Sequence, residues 1–314
     1  NTPFGVYVTS PDYLGGVQDI PALAAVCRAQ GVPLLVDNAH GAYLRFLPQN
    51  CHPIAQGAAM CCDSAHKTLP VVTGGAYLHL AHAAPVQDEA AVRGALALFG
   101  STSPSYLILQ SLDACNAVLA GDYPRRLAQC CAALEGLRRS LNKAAAARQC
   151  PLPLAVAGAQ QEPMKLTLDA AALGCTGTAL AESLRRAQME CEYADPRYVV
   201  LMFTPENPPQ DYTRLQTALE QLLAAVPAGL PRPENRAGEF AALQQQAVQR
   251  CTIRQAVLGA QVRIPVHKAL GRVCAMPTVS CPPAIPVAVS GEEITPAAIA
   301  LMQRYGIEEL SVLR

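Results

Sequence analysis

Two short segments carry the residue types that do chemistry. They are Asp37-Asn38-Ala39-His40-Gly41 and Ser64-Ala65-His66-Lys67-Thr68, and each directly follows an apolar run, Val32–Val36 and Ala58–Cys62. A carboxylate at the carboxyl end of a buried parallel strand lies where open α/β sheets bind ligands. The plain alternative for Asp37 is a carboxylate that caps the following turn. A helicase-type Asp-Glu-Ala-His box does not fit, because position 38 is Asn and no G-x-x-x-x-G-K-[ST] loop precedes it. Lys67 stands between a buried-type strand, His66 and the pair Gly74-Gly75. Held in such a pocket, an ammonium is disfavoured and the amine becomes a nucleophile for a carbonyl. Its plain alternative is a solvated loop lysine.

The elements that must position these groups alternate strand and helix. Val6–Thr9 is a short apolar run. Asp19 can cap a helix over Ile20–Gln30, with Leu23, Val26 and Cys27 at helical spacing and Gly31 as its stop. Val32–Val36 follows as a buried-type strand, so the pattern reads βαβ and predicts a parallel sheet covered by helices. Ala58–Cys62 and Ala76–Leu80 are further strand candidates, and helices are expected over about Val86–Phe99, Pro104–Leu119 and Asp122–Ala147. Beyond Cys150–Pro153 the order becomes strand Met164–Leu168, helix Thr178–Gln188, strand Tyr198–Phe203 and helix Asp211–Val226, a small α+β unit. The run Pro227-Ala228-Gly229-Leu230-Pro231-Arg232-Pro233 cannot continue the preceding helix and marks a second boundary. This gives three parts: 1–150, 151–228 and 229–314.

Composition narrows the function classes. Of 314 residues 51% are hydrophobic and 15% charged, which excludes intrinsic disorder. Lys+Arg and Asp+Glu are both 24, so no electrostatic footprint for nucleic acid exists. No apolar stretch approaches the ~18 residues of a membrane span. Thirteen cysteines form no C-x-x-C pair, so neither a zinc site nor a disulfide framework is expected. Reduced, mostly buried thiols in a cytoplasmic protein are the expectation.

An amine and a carboxylate on neighbouring strand ends are what pyridoxal 5'-phosphate needs: a Lys for its aldehyde and an acid to keep its pyridine nitrogen protonated. Asp37-x-Ala39-His40-Gly41 followed by Ser64-x-His66-Lys67 resembles the active-site pair of the ornithine/lysine/arginine decarboxylases, a pyridoxal-phosphate family of fold type I. Further segments extend the resemblance along the chain: Ser101-Thr102-Ser103-Pro104, Ala194-Asp195-Pro196 with Val199-Val200-Leu201, and Cys281-Pro282-Pro283-Ala284-Ile285-Pro286 with Gly291-Glu292. It implies an aspartate aminotransferase-like α/β fold. A mixed, mostly parallel sheet with helices on both faces would be joined by a small α+β domain and a C-terminal domain.

Carried over by position, the resemblance implies that Lys67 forms the Schiff base and Asp37 pairs with the pyridine nitrogen. Ala39 and His40 would lie against the ring, and Ser64 and His66 near the phosphate or the Schiff base. Ser101 and Thr102 would complete a phosphate site across a dimer interface, and Glu192 is a candidate for substrate recognition. The implied reaction removes CO₂ from arginine, lysine or ornithine, with Lys67 or His66 returning a proton to Cα. A homodimer or larger assembly is expected. Other fold-type-I chemistry, aminotransferase or lyase, and a non-catalytic truncated paralogue are the alternatives. The family pattern has Glu and His where this chain has Asn38 and Tyr43. The sequence opens Asn1-Thr2-Pro3, close to a strand, so a preceding stretch with a phosphate loop and a ring-stacking His is expected to be missing. His52, His79, His82 and His267 do not match the stacking role and read as structural or exposed, and no metal ligand is assigned.

Overall fold

The structure, a computed structural model, describes residues 3–82, 84–150, 153–158, 160–226, 243, 245–276, 278–279 and 286–314. The Pro227–Pro233 boundary and the segment Cys281–Ile285 lie outside the described residues. The chain divides into two compact units: residues 1–143, 155–167 and 201–220 form one, and 144–154, 168–200 and 221–314 the other.

The first unit is built on four strands: Val6–Thr9 (β1), Leu34–Asp37 (β2), Met60–Asp63 (β3) and Tyr77–Leu80 (β4), in the order β1-β2-β3-β4. The pairs β1–β2 and β2–β3 are parallel, whereas β4 runs antiparallel to β3, so the sheet is mixed. The helix Ile20–Ala29 (α1) connects β1 to β2. Asp19 Oδ1 caps it by accepting from the Ala22 amide at 3.0 Å, and Gly31 beyond its end takes φ +66°. The buried face of α1 is Ile20, Ala24 and Cys27, which pack with Leu34, Val36 and Ala58. Val26 is 64% exposed, because at 100° per residue it points well away from that stripe. The expected assignment of Val26 to the apolar face is corrected accordingly.

Three helices follow: Glu89–Phe99 (α3), Tyr106–Ala120 (α4) and Tyr123–Ala147 (α5), after a single turn at Ala65–Thr68 (α2). The first two begin two to three residues later than the apolar pattern suggests, because Asp88 and Ser105 occupy the N-cap positions. Strands Lys165–Asp169 (β5), Tyr193–Ala194 (β6) and Tyr198–Met202 (β7) form a sheet in the order β5-β7-β6, with helices Gly177–Arg186 (α6) and Pro209–Ala225 (α7).

Within the second unit, Thr176 caps α6, and Arg197 holds Asp169 at 2.7 Å. Farther along, Ile253–Leu258 (α8) starts from a Thr252/Gln255 capping box. Strand Gln261–Pro265 (β8) pairs antiparallel with Glu309–Leu313 (β11), and Thr278–Val279 (β9) with Pro286–Ala288 (β10). The helix Pro296–Arg304 (α9) buries Ala298, Leu301 and Met302 against Val266, Ile294 and Val312. Among the described residues no helix is long and apolar enough to cross a membrane.

Candidate active site

The register of the parallel strands brings the chemistry-bearing segments to one edge. Thr9 lies opposite Asp37, and Asp37 opposite Cys62, so the carboxyl ends of β1, β2 and β3 are level. Asp37 is the last residue of β2 and half-buried. One carboxylate oxygen accepts from the Ala39 amide at 3.0 Å and the other from the Tyr7 hydroxyl at 3.2 Å. Burial and the adjacent Asp37 charge push the Tyr7 phenol up to about 12, so it stays a donor through the neutral range.

Beyond Asp37 the chain turns at once, with the Gly41 amide donating to the Asn38 carbonyl at 2.8 Å. A side chain at Gly41 would place Cβ only 2.0 Å from Asn38 Oδ1, so the buried Asn38 side chain packs where only a glycine leaves room. This turn buries His40, whose Nε2 accepts from Lys67 Nζ at 3.2 Å. Burial, then the positive charges of Lys165 and Lys67, lower the His40 imidazole to about 3. His40 is therefore neutral, and with Nε2 accepting, its proton sits on Nδ1. That buried Nδ1 has no hydrogen-bond partner.

Lys67 lies in the single turn α2, started by Ser64, whose carbonyl accepts from the Lys67 amide at 3.0 Å. His66 is fixed from the other side. Its Nδ1 donates to the Gly75 carbonyl at 2.9 Å, which fixes the ring orientation. The sequence reading missed two contributors. Tyr13 stands edge-on to His40 with ring centroids 5.0 Å apart. Lys165 sits 5.5 Å over the Tyr13 ring and donates to the Asp12 and Tyr13 carbonyls at 2.9 and 3.1 Å. A lysine inside an apolar strand was their only sequence signal. Glu162 is also buried there: burial raises its carboxyl, Lys165 opposes that shift, and Tyr43 donates a hydrogen bond to it.

Behind the turn lies a second polar cluster. Asn38 Nδ2 donates to Asp63 Oδ1 at 2.7 Å, and His52 and His79 Nε2 approach Asp63 Oδ2 at 3.1 and 3.0 Å. Burial alone would raise the Asp63 carboxyl, but hydrogen bonds from His52, His79 and Asn38 together hold it well below the usual range.

The structure thus brings Asp37, Ala39, His40, Ser64, His66 and Lys67 to neighbouring strand ends. Ser101 and Thr102 are exposed in the loop between α3 and α4, where Ser101 Oγ accepts from the Ser103 amide at 3.1 Å. Glu192 belongs to the second unit and is exposed, its amide donating to the Val200 carbonyl at 2.9 Å. Chemically, the first group offers an amine held by a neutral imidazole and a carboxylate held by two donors.

Comparison with known proteins shows the family and the fold. An arginine decarboxylase of Bacillus subtilis is 28% identical over 298 residues, covering 93% of this chain and 59% of its own length. One from Bacillus anthracis is 26% identical, covering 93% and 59%. The chain thus spans about three-fifths of the length of the curated relatives it matches. The constitutive lysine decarboxylase of E. coli superposes with a TM-score of 0.72 at 18% identity, covering 99% of this chain and 58% of that one. An alanine–glyoxylate aminotransferase from Nostoc gives 0.54 at 18% identity, covering 71% and 62%. The fold is that of the fold-type-I pyridoxal-phosphate enzymes. The family model for the Orn/Lys/Arg decarboxylase major domain matches residues 2–160, and the chain belongs to that family of pyridoxal-phosphate-dependent decarboxylases.

Proposed function

We propose that this chain carries the lysine-bearing part of a decarboxylase for a basic amino acid, arginine, lysine or ornithine. The observation that carries the reading is the Lys67–His40 contact at 3.2 Å beside the Asp37 strand end. The donor set fits pyridoxal phosphate: an amine, a carboxylate, and a buried His40 Nδ1 with no partner. When bound, that cofactor supplies an aldehyde for the amine and a ring that accepts electrons from the substrate's Cα.

Each residue then has a task. Lys67 offers its Nζ to the aldehyde, and the neutral His40 imidazole accepts from that Nζ and orients it. Asp37 holds a proton at the pyridine nitrogen, with Tyr7 and the Ala39 amide keeping its carboxylate oriented. Ala39 and His40 would lie against the ring, and Ser64 and His66 near the phosphate or the Schiff base. After CO₂ leaves, Lys67 Nζ or His66 Nε2 delivers a proton to Cα. Glu192 is assigned to the distal group of a cationic substrate, to which a carboxylate is complementary.

The assignment extends to three parts, 1–150, 151–228 and 229–314, and to a cytoplasmic homodimer or larger assembly with Ser101 and Thr102 completing the phosphate site of a second copy. Relatives named arginine decarboxylase match over 93% of the chain, which favours decarboxylation over transamination. The test is to add pyridoxal phosphate to the purified chain and measure CO₂ release from the three amino acids. The expected result is a visible absorption band and CO₂ release, both lost in Lys67→Ala. A band unchanged in Lys67→Ala, or transamination without CO₂, overturns the reading. No cofactor binding at all favours a non-catalytic partner chain.

A further inference from the structure

The cluster behind the Asn38 turn contains one group more than a hydrogen-bond network needs. Asp63 Oδ2 stands 3.1 and 3.0 Å from the Nε2 atoms of His52 and His79, and one ligand atom from each of the three lies within 4.8 Å of the others. Cys61 Sγ lies beside the set, 3.4 Å from Asp63 Oδ1 and 3.9 Å from His52 Nε2. Strand geometry explains the convergence. Cys61 and Asp63 alternate along β3 and so share a face, and His79 on β4 is the cross-strand partner of Cys61. His52 arrives from the loop before β3. A cavity of about 570 Å³ lined by His52, Asp63 and His79 gives access from one side.

We propose that His52, His79 and Asp63 form a three-ligand site for a divalent transition ion of the zinc class, with its fourth position open to the cavity. At metal–ligand bonds of roughly 2.0–2.1 Å, the ligand atoms of a tetrahedral zinc site lie roughly 3.3–3.4 Å apart. The two imidazole nitrogens stand 3.1 and 3.0 Å from Asp63 Oδ2, close to that spacing. Two imidazoles and a single carboxylate suit zinc or cobalt rather than magnesium or calcium, which take oxygen ligands. Proton accounting is simple and involves no redox change: each imidazole moves its proton from Nε2 to Nδ1. His52 therefore gives up the long 3.3 Å bond that its Nδ1 accepts from the Ile54 amide. The ion would tie the loop before β3 to both β3 and β4. None of its ligands is Lys67, Asp37 or His40, so the site stands whether or not the decarboxylase reading holds.

The test uses the full chain, stripped with a chelator, loaded with cobalt(II) and desalted. The expected result is one cobalt per chain, with visible bands of tetrahedral cobalt and no sulfur-to-cobalt charge-transfer band in the near ultraviolet. His79→Gln should bind at least tenfold more weakly with its far-ultraviolet dichroism unchanged. Lys67→Ala should bind as the wild type does. The site is overturned if the wild-type chain retains no cobalt, if His79→Gln binds as the wild type does, or if a charge-transfer band appears, which would place the ion on cysteines.

Discussion

Lys67 Nζ and His40 Nε2 meet at 3.2 Å although 27 positions separate the two residues in the chain. The contact exists because β2 and β3 are parallel neighbours that end level, so the turn after one faces the helical turn after the other. His40, neutral above about 3, accepts from Nζ and so gives the Lys67 side chain a defined place.

The neutrality of His40 has a measurable consequence for stability. In the unfolded chain it takes up a proton near the ordinary 6.5, whereas in the fold it does so only near 3. The folded state refuses a proton that the unfolded state accepts. Its contribution is therefore fully present above about 6.5, and folding weakens as pH falls towards 3, by about 1.4 kcal/mol per pH unit. Chemical denaturation at pH 7 and pH 5 should show about 2 kcal/mol more loss for the wild type than for His40→Gln. Equal losses in the two proteins would remove His40 from the account.

Lys165 supports the same site through Tyr13, whose ring stands against His40. Its ammonium is buried, donates to the Asp12 and Tyr13 carbonyls and offsets the Glu162 charge. Lys165→Met leaves two carbonyls and a buried carboxylate without that partner, so the expected destabilisation is about 3–5 kcal/mol. Removing its charge also relieves one of the forces that depress the His40 imidazole. The His40 ring resonances in NMR should then titrate at higher pH than in the wild type. A shift in stability without that change in titration would separate Lys165 from the site.

Gly41 offers a steric test of the turn. Alanine there places Cβ 2.0 Å from Asn38 Oδ1 and 2.8 Å from Leu44 Cδ1, so the Asn38 and Leu44 side chains must shift. Overpacking of this kind costs about 1–3 kcal/mol. Because His40 is carried on the same turn, Gly41→Ala should also lower cofactor affinity, read as a weaker visible band at fixed pyridoxal phosphate. A variant with normal stability and a normal band would show that the turn tolerates a methyl group.

The sequence made the two ends of the Lys67–His40 contact visible for a physical reason. Asp37 follows an apolar run directly and Lys67 stands five positions beyond the end of another, and a buried strand must deliver its next polar residues to an edge. The α1 helix was equally readable from Asp19 and Gly31, although 3.6-residue periodicity alone misplaced Val26. Tyr13 and Lys165 were not readable, because they meet only when residues 155–167 return to the first unit across some 150 positions. The cluster of His52, Cys61, Asp63 and His79 was hidden too. Its spacing matches no metal motif, and it depends on the antiparallel register that sets Cys61 opposite His79.

Helices α3 and α4 of the first unit are the surface on which the proposed assembly can be tested, because they are exposed. No residue of α3 is buried, and only Cys115 of α4 is. Around the loop that carries Ser101 and Thr102, Leu98 is 78% exposed, Phe99 93% and Tyr106 85%. Covering one such side chain contributes about 1.5–3 kcal/mol, and each 1.4 kcal/mol is tenfold in an association constant. A second copy docked on this surface would bring its loop within reach of a neighbouring phosphate site, as the assignment of Ser101 and Thr102 requires. Sedimentation of the wild-type chain at micromolar concentration should then show a dimer or larger species. Leu98→Glu with Phe99→Glu should weaken association at least a hundredfold, leave the far-ultraviolet dichroism unchanged and lower phosphate-end affinity for the cofactor. A wild-type chain that stays monomeric at those concentrations, or a double variant that still dimerises, removes these helices as the contact surface.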